Sequence, residues 1–150
     1  MTTQASTAVL QDSTVFQWLA KTYHAATTSF EASTEVTVAR WRLLFLIDRQ
    51  KSCTQKRLIS EIRVDPGSIT RQLKTLEADG LICREDDPDD NRLTRVSLTA
   101  EGRAYVRQVY DRRAAFLAQM LDGISERDTQ TLVRCLERMA HNLGDTQPLP

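Results

Sequence analysis

The sequence predicts a mainly α fold: a winged helix-turn-helix with about six helices and a two- or three-stranded wing sheet. Three observations predict it. The segment Asp65–Gly80 carries helix punctuation at both ends. Two short β-type runs, Leu81–Arg84 and Thr94–Leu98, follow it at once, joined by the charged turn Glu85–Leu93. Long amphipathic stretches flank this centre on both sides.

In chain order, Met1–Asp12 is small, polar and threonine-rich, and reads as a frayed arm. A helix is expected from about Ser13, capped by Ser13 or Asp12, with Val15, Phe16, Leu19, Tyr23, Ala26 and Phe30 as its apolar stripe. A second runs from about Val36 to Arg49, turning Val38, Trp41, Leu44, Phe45 and Ile47 mostly inward. Lys51-Ser52-Cys53 is a short link or a minimal third strand. Thr54 caps the next helix, Gln55–Arg63, whose Leu58, Ile59 and Ile62 pack under the segment that follows. There Asp65 is the N-cap, Pro66 takes the first helical position where its missing N–H costs nothing, and Gly80 supplies the left-handed stop. Ile69, Leu73 and Leu76 recur at i, i+4, i+7 and form the buried face. After the hairpin, Thr99 caps a long helix from Ala100 to about Leu121, with Glu101 favouring the dipole and Val106, Val109, Phe116, Leu117 and Met120 apolar. Asp122-Gly123 breaks it. Ser125 caps the last helix, with Asp128 three residues on in a capping-box-like arrangement. Leu132, Leu136, Met139 and Leu143 make one stripe, Gly144 ends it, and the tail Asp145–Pro150 is expected to lack order.

The outer face of the Asp65–Gly80 helix points to function. Arg71 and Lys74 project away from the apolar stripe, Gly67 lies between them in projection, and Ser68 and Thr70 flank them. Such a face suits a DNA major groove: arginine can donate a bidentate pair to guanine, hydroxyls reach base edges or phosphate, and glycine permits close approach. The net charge is zero, which argues against a general polyanion binder. Between Lys51 and Thr75, however, six basic residues (Lys51, Lys56, Arg57, Arg63, Arg71, Lys74) outnumber two acids (Glu61, Asp65). At 150 residues with 41% hydrophobic content, the chain suffices for one cored domain or one protomer of a dimer.

The run Leu76…Gly80-Leu81-Ile82…Arg84…Asp87-Pro88-Asp89-Asp90-Asn91-Arg92…Val96…Leu98-Thr99…Gly102 resembles the MarR family of bacterial transcription regulators. That family's pattern is a leucine-glycine-leucine junction, a wing holding Asp-x-Arg, then Leu-Thr-x-x-Gly opening a long helix. The resemblance implies a homodimeric, sequence-specific regulator that binds a palindromic operator in double-stranded DNA, as a repressor released by a small ligand. It implies one protomer over 1–150, with dimerisation helices at 13–33 and 100–143 and a winged DNA-binding lobe at 36–99. Surplus apolar surface on the first and last helices agrees with a dimer, although those helices could instead cover their own core. A two-fold dimer would set its recognition helices about one DNA turn apart.

In the wing, the resemblance implies that Arg92 reaches a minor groove, whose negative potential attracts arginine, while Asp90 orients a nearby basic residue. Arg84 joins the DNA-facing set. Five acids (Glu85, Asp86, Asp87, Asp89, Asp90) must then point away from phosphate or pair with Arg84, Arg92 and Arg95. Asn91 and Leu93 stand where the family often has a second basic residue, which weakens the expected grip. The resemblance also implies an effector between the dimer helices and the DNA-binding lobe, with Trp18, Tyr23, His24, Arg40 and Trp41 as candidate lining. Aromatic rings with an arginine and a histidine could hold a small aromatic carboxylate by stacking and a charge-assisted pair. Tyr23 and Trp41 at helical spacing are equally readable as core.

Other classes find little support. His24 and His141 are the only histidines, with no metal or triad spacing, and no Gly-rich phosphate loop is present. Asp86-Asp87 and Asp89-Asp90 lie in an exposed turn without a dry pocket. No enzyme activity, cofactor or metal is expected. Cys53, Cys83 and Cys135 sit on or beside apolar segments and read as inert packing thiols of a reducing cytoplasm. The longest apolar run, Leu43–Ile47, is far too short to span a membrane. The alternative from another class is a winged-helix module for protein contacts without DNA, and Arg71, Lys74 and Arg92 discriminate the two.

Overall fold

The computed structural model describes residues 3–62 and 65–145, with side chains from residue 14 onward. Six helices and three strands follow in order: α1 (Thr3–Thr34), α2 (Val38–Gln50), β1 (Ser52–Thr54), α3 (Gln55–Ile62), α4 (Pro66–Ala78), β2 (Ile82–Asp86), β3 (Thr94–Leu98), α5 (Ala100–Met120) and α6 (Glu126–Asn142). Side-chain caps set many of these boundaries. Thr37, Asp65, Thr99 and Ser125 each accept a hydrogen bond from the backbone N–H three residues on. Gly80, at φ +71°, closes α4 in a two-bond cap: Leu81 N–H donates to Leu76 O and Gly80 N–H to Glu77 O.

The sheet order is β1-β3-β2, antiparallel throughout, so β3 is central. Val96 faces Cys53 on one side and Arg84 on the other. The core gathers where α2, α3, α4, β3 and α5 meet. Leu43, Leu44, Ile47, Leu58, Ile69, Leu73, Leu76, Val96, Val106 and Val109 are almost wholly buried there. α1 reaches this core mainly through Phe30, which meets Phe116 edge-on with centroids 5.6 Å apart.

The junction of α4, β2 and α5 is tightly knotted. Thr99 N–H donates to Leu81 O (3.1 Å), Thr99 Oγ1 donates to Gly80 O (2.6 Å), and Gly102 N–H donates back to Thr99 Oγ1 (2.9 Å). A Cβ on Gly102 would fall 1.9 Å from Leu81 O, so only glycine fits this crossing.

Several expectations need correction. α1 begins at Thr3 rather than near Ser13, because no glycine or proline interrupts the run and its small polar residues tolerate a helix. The expected cap at Asp12 or Ser13, and the side chains of the arm, lie outside the described side chains; Met1, Thr2, Arg63 and the tail from residue 146 lie outside the described residues. The third strand forms, and Thr54 ends it while still accepting from Arg57 N–H (3.2 Å). Met120 is exposed rather than packed. α6 buries none of its residues, so the stripe of Leu132, Leu136 and Leu143 is open to solvent, as are Val15, Phe16, Trp18 and Tyr23 of α1. Cys53 is buried and Cys83 half-buried, but Cys135 is exposed on α6, so it packs against nothing in its own chain's core. Among the described residues no helix is long and apolar enough to cross a membrane.

Candidate nucleic-acid interface

α4 divides cleanly into two faces. Ile69, Leu73 and Leu76 hold one side in the core at 1% exposure or less. The opposite side carries Gly67, Arg71 and Lys74, all exposed, with Ser68 and Thr70 half-buried at its margins. Arg71 keeps 76% of its side-chain surface open and touches only the edge of Asp65, 4.0 Å away. The hydroxyls are already engaged: Thr70 Oγ1 donates to Pro66 O (2.9 Å) and accepts from Gln55 Nε2 (3.2 Å), while Gln72 Nε2 donates to Ser68 Oγ (3.4 Å). Gln55 extends this surface onto the first turn of α3. Its place just after the Thr54 cap was the signal that could have marked it.

The wing turn from Asp87 to Leu93 is built on carboxylates that look inward. Asp87 is 5% exposed. Its Oδ1 accepts from the N–H groups of Asp89 (2.9 Å) and Asp90 (3.2 Å), and its Oδ2 accepts from Arg95 Nε (2.7 Å). Asp90 Oδ1 in turn accepts from Arg92 N–H (3.1 Å) and Nε (3.0 Å), leaving the Arg92 side chain 90% exposed at the tip. The Arg95 guanidinium holds the Asp87 carboxyl below the usual carboxylate range, with the two backbone N–H bonds adding to it. The Arg92 guanidinium does the same for Asp90. These two acids are therefore charged and paired, and Asp87 is also turned from solvent, which removes much of the repulsion expected beside phosphate.

Arg84 departs from the expected DNA-facing set. Its Nε donates to Glu77 Oε2 (2.8 Å), bracing β2 against the end of α4, and only 23% of its side chain is exposed. The Glu77 carboxylate thus takes up the Arg84 guanidinium, which is not held out as a free cation.

A cavity of about 480 Å³ opens between α1, α2 and α4. Of the five residues expected to line it, Tyr23 and His24 do. Trp18 lies on the open surface of α1 with Lys21 Nζ 4.8 Å over its ring. Arg40 is drawn to Asp79 (2.7 Å), and Trp41 is buried edge-on against Tyr110 at 5.1 Å. The cation in the wall is Arg42, joined by Glu31 and by Ile69 and Gln72 of α4. Two residues apart on a helix is about 200° of rotation, so α2 sends Arg40 and Arg42 to opposite sides.

A family model described as the MarR family matches residues 36–94. The HTH-type transcriptional regulator YdgJ of Bacillus subtilis is 32% identical over 118 residues, which cover 79% of this chain and 72% of that protein. Among solved structures, a cysteine-to-serine mutant of MarR from E. coli complexed with operator DNA superposes with a TM-score of 0.77 at 21% identity, covering 83% of this chain and 92% of the other. BpsR of Bordetella bronchiseptica, whose DNA binding is regulated by 6-hydroxynicotinic acid, superposes with a TM-score of 0.74 at 22% identity, covering 85% and 98%.

Proposed function

This chain belongs to the MarR family of transcription regulators, and from that premise we propose that it acts as a homodimeric repressor that reads a palindromic operator and lets go when a small planar acid binds. The observation that carries the reading is the exposed outer face of α4, with Gly67, Ser68, Thr70, Arg71 and Lys74 on one side and the wing-tip Arg92 beyond it. In this reading α4 enters the major groove, Arg71 reads a base, Lys74 holds a phosphate, and Arg92, oriented by Asp90, enters the neighbouring minor groove. The solved relative with operator DNA supports the docking by its shared fold.

The dimer reading rests on the open apolar faces. A lone protomer leaves Val15, Phe16 and Trp18 on α1, Leu132, Val133 and Leu136 on α6, and Leu143 at its C-cap in water. Exposed apolar helix faces of this kind mark an interface. The helices at 13–33 and 100–143 would then join two copies, with the lobe at 36–99 on the DNA. The effector reading rests on the cavity, where Arg42 and His24 can meet a carboxylate and Tyr23 can cover a ring. α4 forms part of its wall, so an occupant would bear directly on the reading helix. The regulated relative supports an acid of that class.

The test is binding of purified protein to the intergenic DNA beside its own coding region, with salt varied and a panel of aromatic carboxylates added. Salt-sensitive, sequence-preferring binding that one carboxylate abolishes supports the reading. Equal affinity for random DNA at low salt refutes it and favours a protein-contact module. L136E should sediment as a monomer and lose operator affinity; a wild-type monomer at micromolar concentration would refute the dimer.

A further inference from the structure

We infer that Asp87 is a positioning residue for DNA binding: it fixes the backbone of the wing tip so that Arg92 is presented to the minor groove in one conformation. The inference rests on the DNA reading above, and it concerns a residue with no expected contact to DNA.

The wing tip has little else to order it. Between Asp87 and Leu93 the chain makes two backbone bonds, Asp87 N–H to Leu93 O (2.9 Å) and Leu93 N–H to Asp90 O (2.8 Å). The turn carries no large apolar side chain except Leu93, and its tip residues Pro88, Asp89, Asn91 and Arg92 are exposed. The Asp87 carboxylate supplies three more bonds from the inside, two to the tip's own N–H groups and one to Arg95. Arg95 sits on central strand β3, where it pairs with Thr54 of β1 and Glu85 of β2 in the ladder. The carboxylate therefore ties the loop to the most constrained strand of the sheet. Asp90, whose N–H Asp87 binds, is the residue that grips Arg92 by its backbone N–H and its Nε. The chain of contacts runs Arg95, Asp87, Asp90, Arg92. Each link is charged or charge-assisted, and such bonds hold geometry better than neutral ones. Without Asp87, Arg92 would still be present and charged, but it would have to be ordered on DNA, at a cost in affinity.

The experiment is a double-mutant cycle on the full-length protein, using the same intergenic DNA as probe. Asp87→Asn keeps an acceptor for the loop N–H groups but turns an amide donor toward Arg95. D87N should weaken binding by about ten-fold, and R92A by a similar factor. In the R92A background D87N should cost almost nothing more, because its effect passes through Arg92. A penalty of the same size in both backgrounds would show general damage to the lobe and overturn the proposal. As an independent readout, backbone order parameters for residues 88–93 in the free protein should fall in D87N and stay high in R92A. Unchanged order in D87N overturns the proposal even if affinity drops. R95M, which leaves the Asp87 carboxylate intact, should loosen the same residues, and its failure to do so would remove the link to β3. If wild-type protein binds no duplex at all, the DNA reading falls, and the order parameters still decide whether Asp87 holds the tip.

Discussion

Replacing Gly102 by alanine sets two expectations of opposite sign against each other. On helix propensity alone, alanine for an α5 glycine should stabilise by about 1 kcal/mol. The crossing says otherwise. The new Cβ would lie 1.9 Å from the carbonyl oxygen of Leu81, where even close carbon–oxygen contacts need about 3.3 Å. The obstacle is backbone, so no side chain can swing aside. Relief requires the first turn of α5 and the start of β2 to part by roughly 1.4 Å. That movement strains the three hydrogen bonds among Thr99, Gly80, Leu81 and Gly102, each contributing about 0.5–1.5 kcal/mol. With about two-thirds of that bonding lost and an overpacking cost of about 1–3 kcal/mol, the net loss is near 3 kcal/mol after the propensity gain. For a chain of this size that corresponds to roughly 6–12 °C in Tm. Thermal and urea unfolding of G102A, at the same protein concentration as wild type, measures it. A G102A protein as stable as wild type, or more so, would show that the crossing is not tight and refute the reasoning.

Other expectations follow from single features. R71A should cost roughly 1–3 kcal/mol in operator binding and relax preference at one base position, whereas K74A should weaken all sequences alike and lower the salt slope by about one; identical behaviour of the two variants in a salt titration would contradict the assigned roles. Burial pushes the Cys53 thiol up to about 11, so a disulfide reagent at about pH 8 should label Cys53 far more slowly in the native protein than in urea-unfolded protein. Equal labelling rates would contradict this. Asp87 titrates below its unfolded value, so its bonds stabilise fully above the ordinary carboxylate pKa and fade as pH falls through the lowered one. The urea-midpoint gap between wild type and D87N should therefore shrink between about pH 5 and pH 2, and a constant gap would count against the bonds seen here.

The winged centre was legible because its signals are local and chemical. Asp65, Pro66, Gly80 and Thr99 act through their own backbone geometry, so reading them needs no knowledge of the rest of the chain. Periodicity likewise put Ile69, Leu73 and Leu76 inside and Arg71 and Lys74 outside. What failed depends on neighbours far away in sequence. The start of α1 was misplaced because Asp12-Ser13 resembles a cap, yet propensity is a weak prior and the helix runs through it. Arg40 looked available on α2, and only the position of Asp79, thirty-nine residues on, shows that it turns from the cavity, whose wall takes Arg42 instead. Trp41 is likewise claimed by Tyr110, whereas Arg84 is claimed by Glu77 only seven residues back, across the turn from α4 into β2. Cys135 was read as buried from its apolar neighbours on α6, but the element that would cover it is not in its own chain's core. The arrangement of the wing acids was only half anticipated: pairing was required by charge, but nothing in the sequence singled out Asp87 as the buried hub.

The knot at Thr99, Gly80 and Gly102 has a mechanical meaning. It ties the end of α4 to the first turn of α5, so a shift of one is passed to the other. α5 has 21 residues and is therefore about 31 Å long. Pivoting it by roughly 6° about its far end sweeps the tied end through some 3.4 Å, the rise of one base pair. In the proposed dimer the long helix is thus a lever with α4 clamped to its tip, and a slight change of splay where two copies meet would be enough to carry each α4 out of step with its half-site.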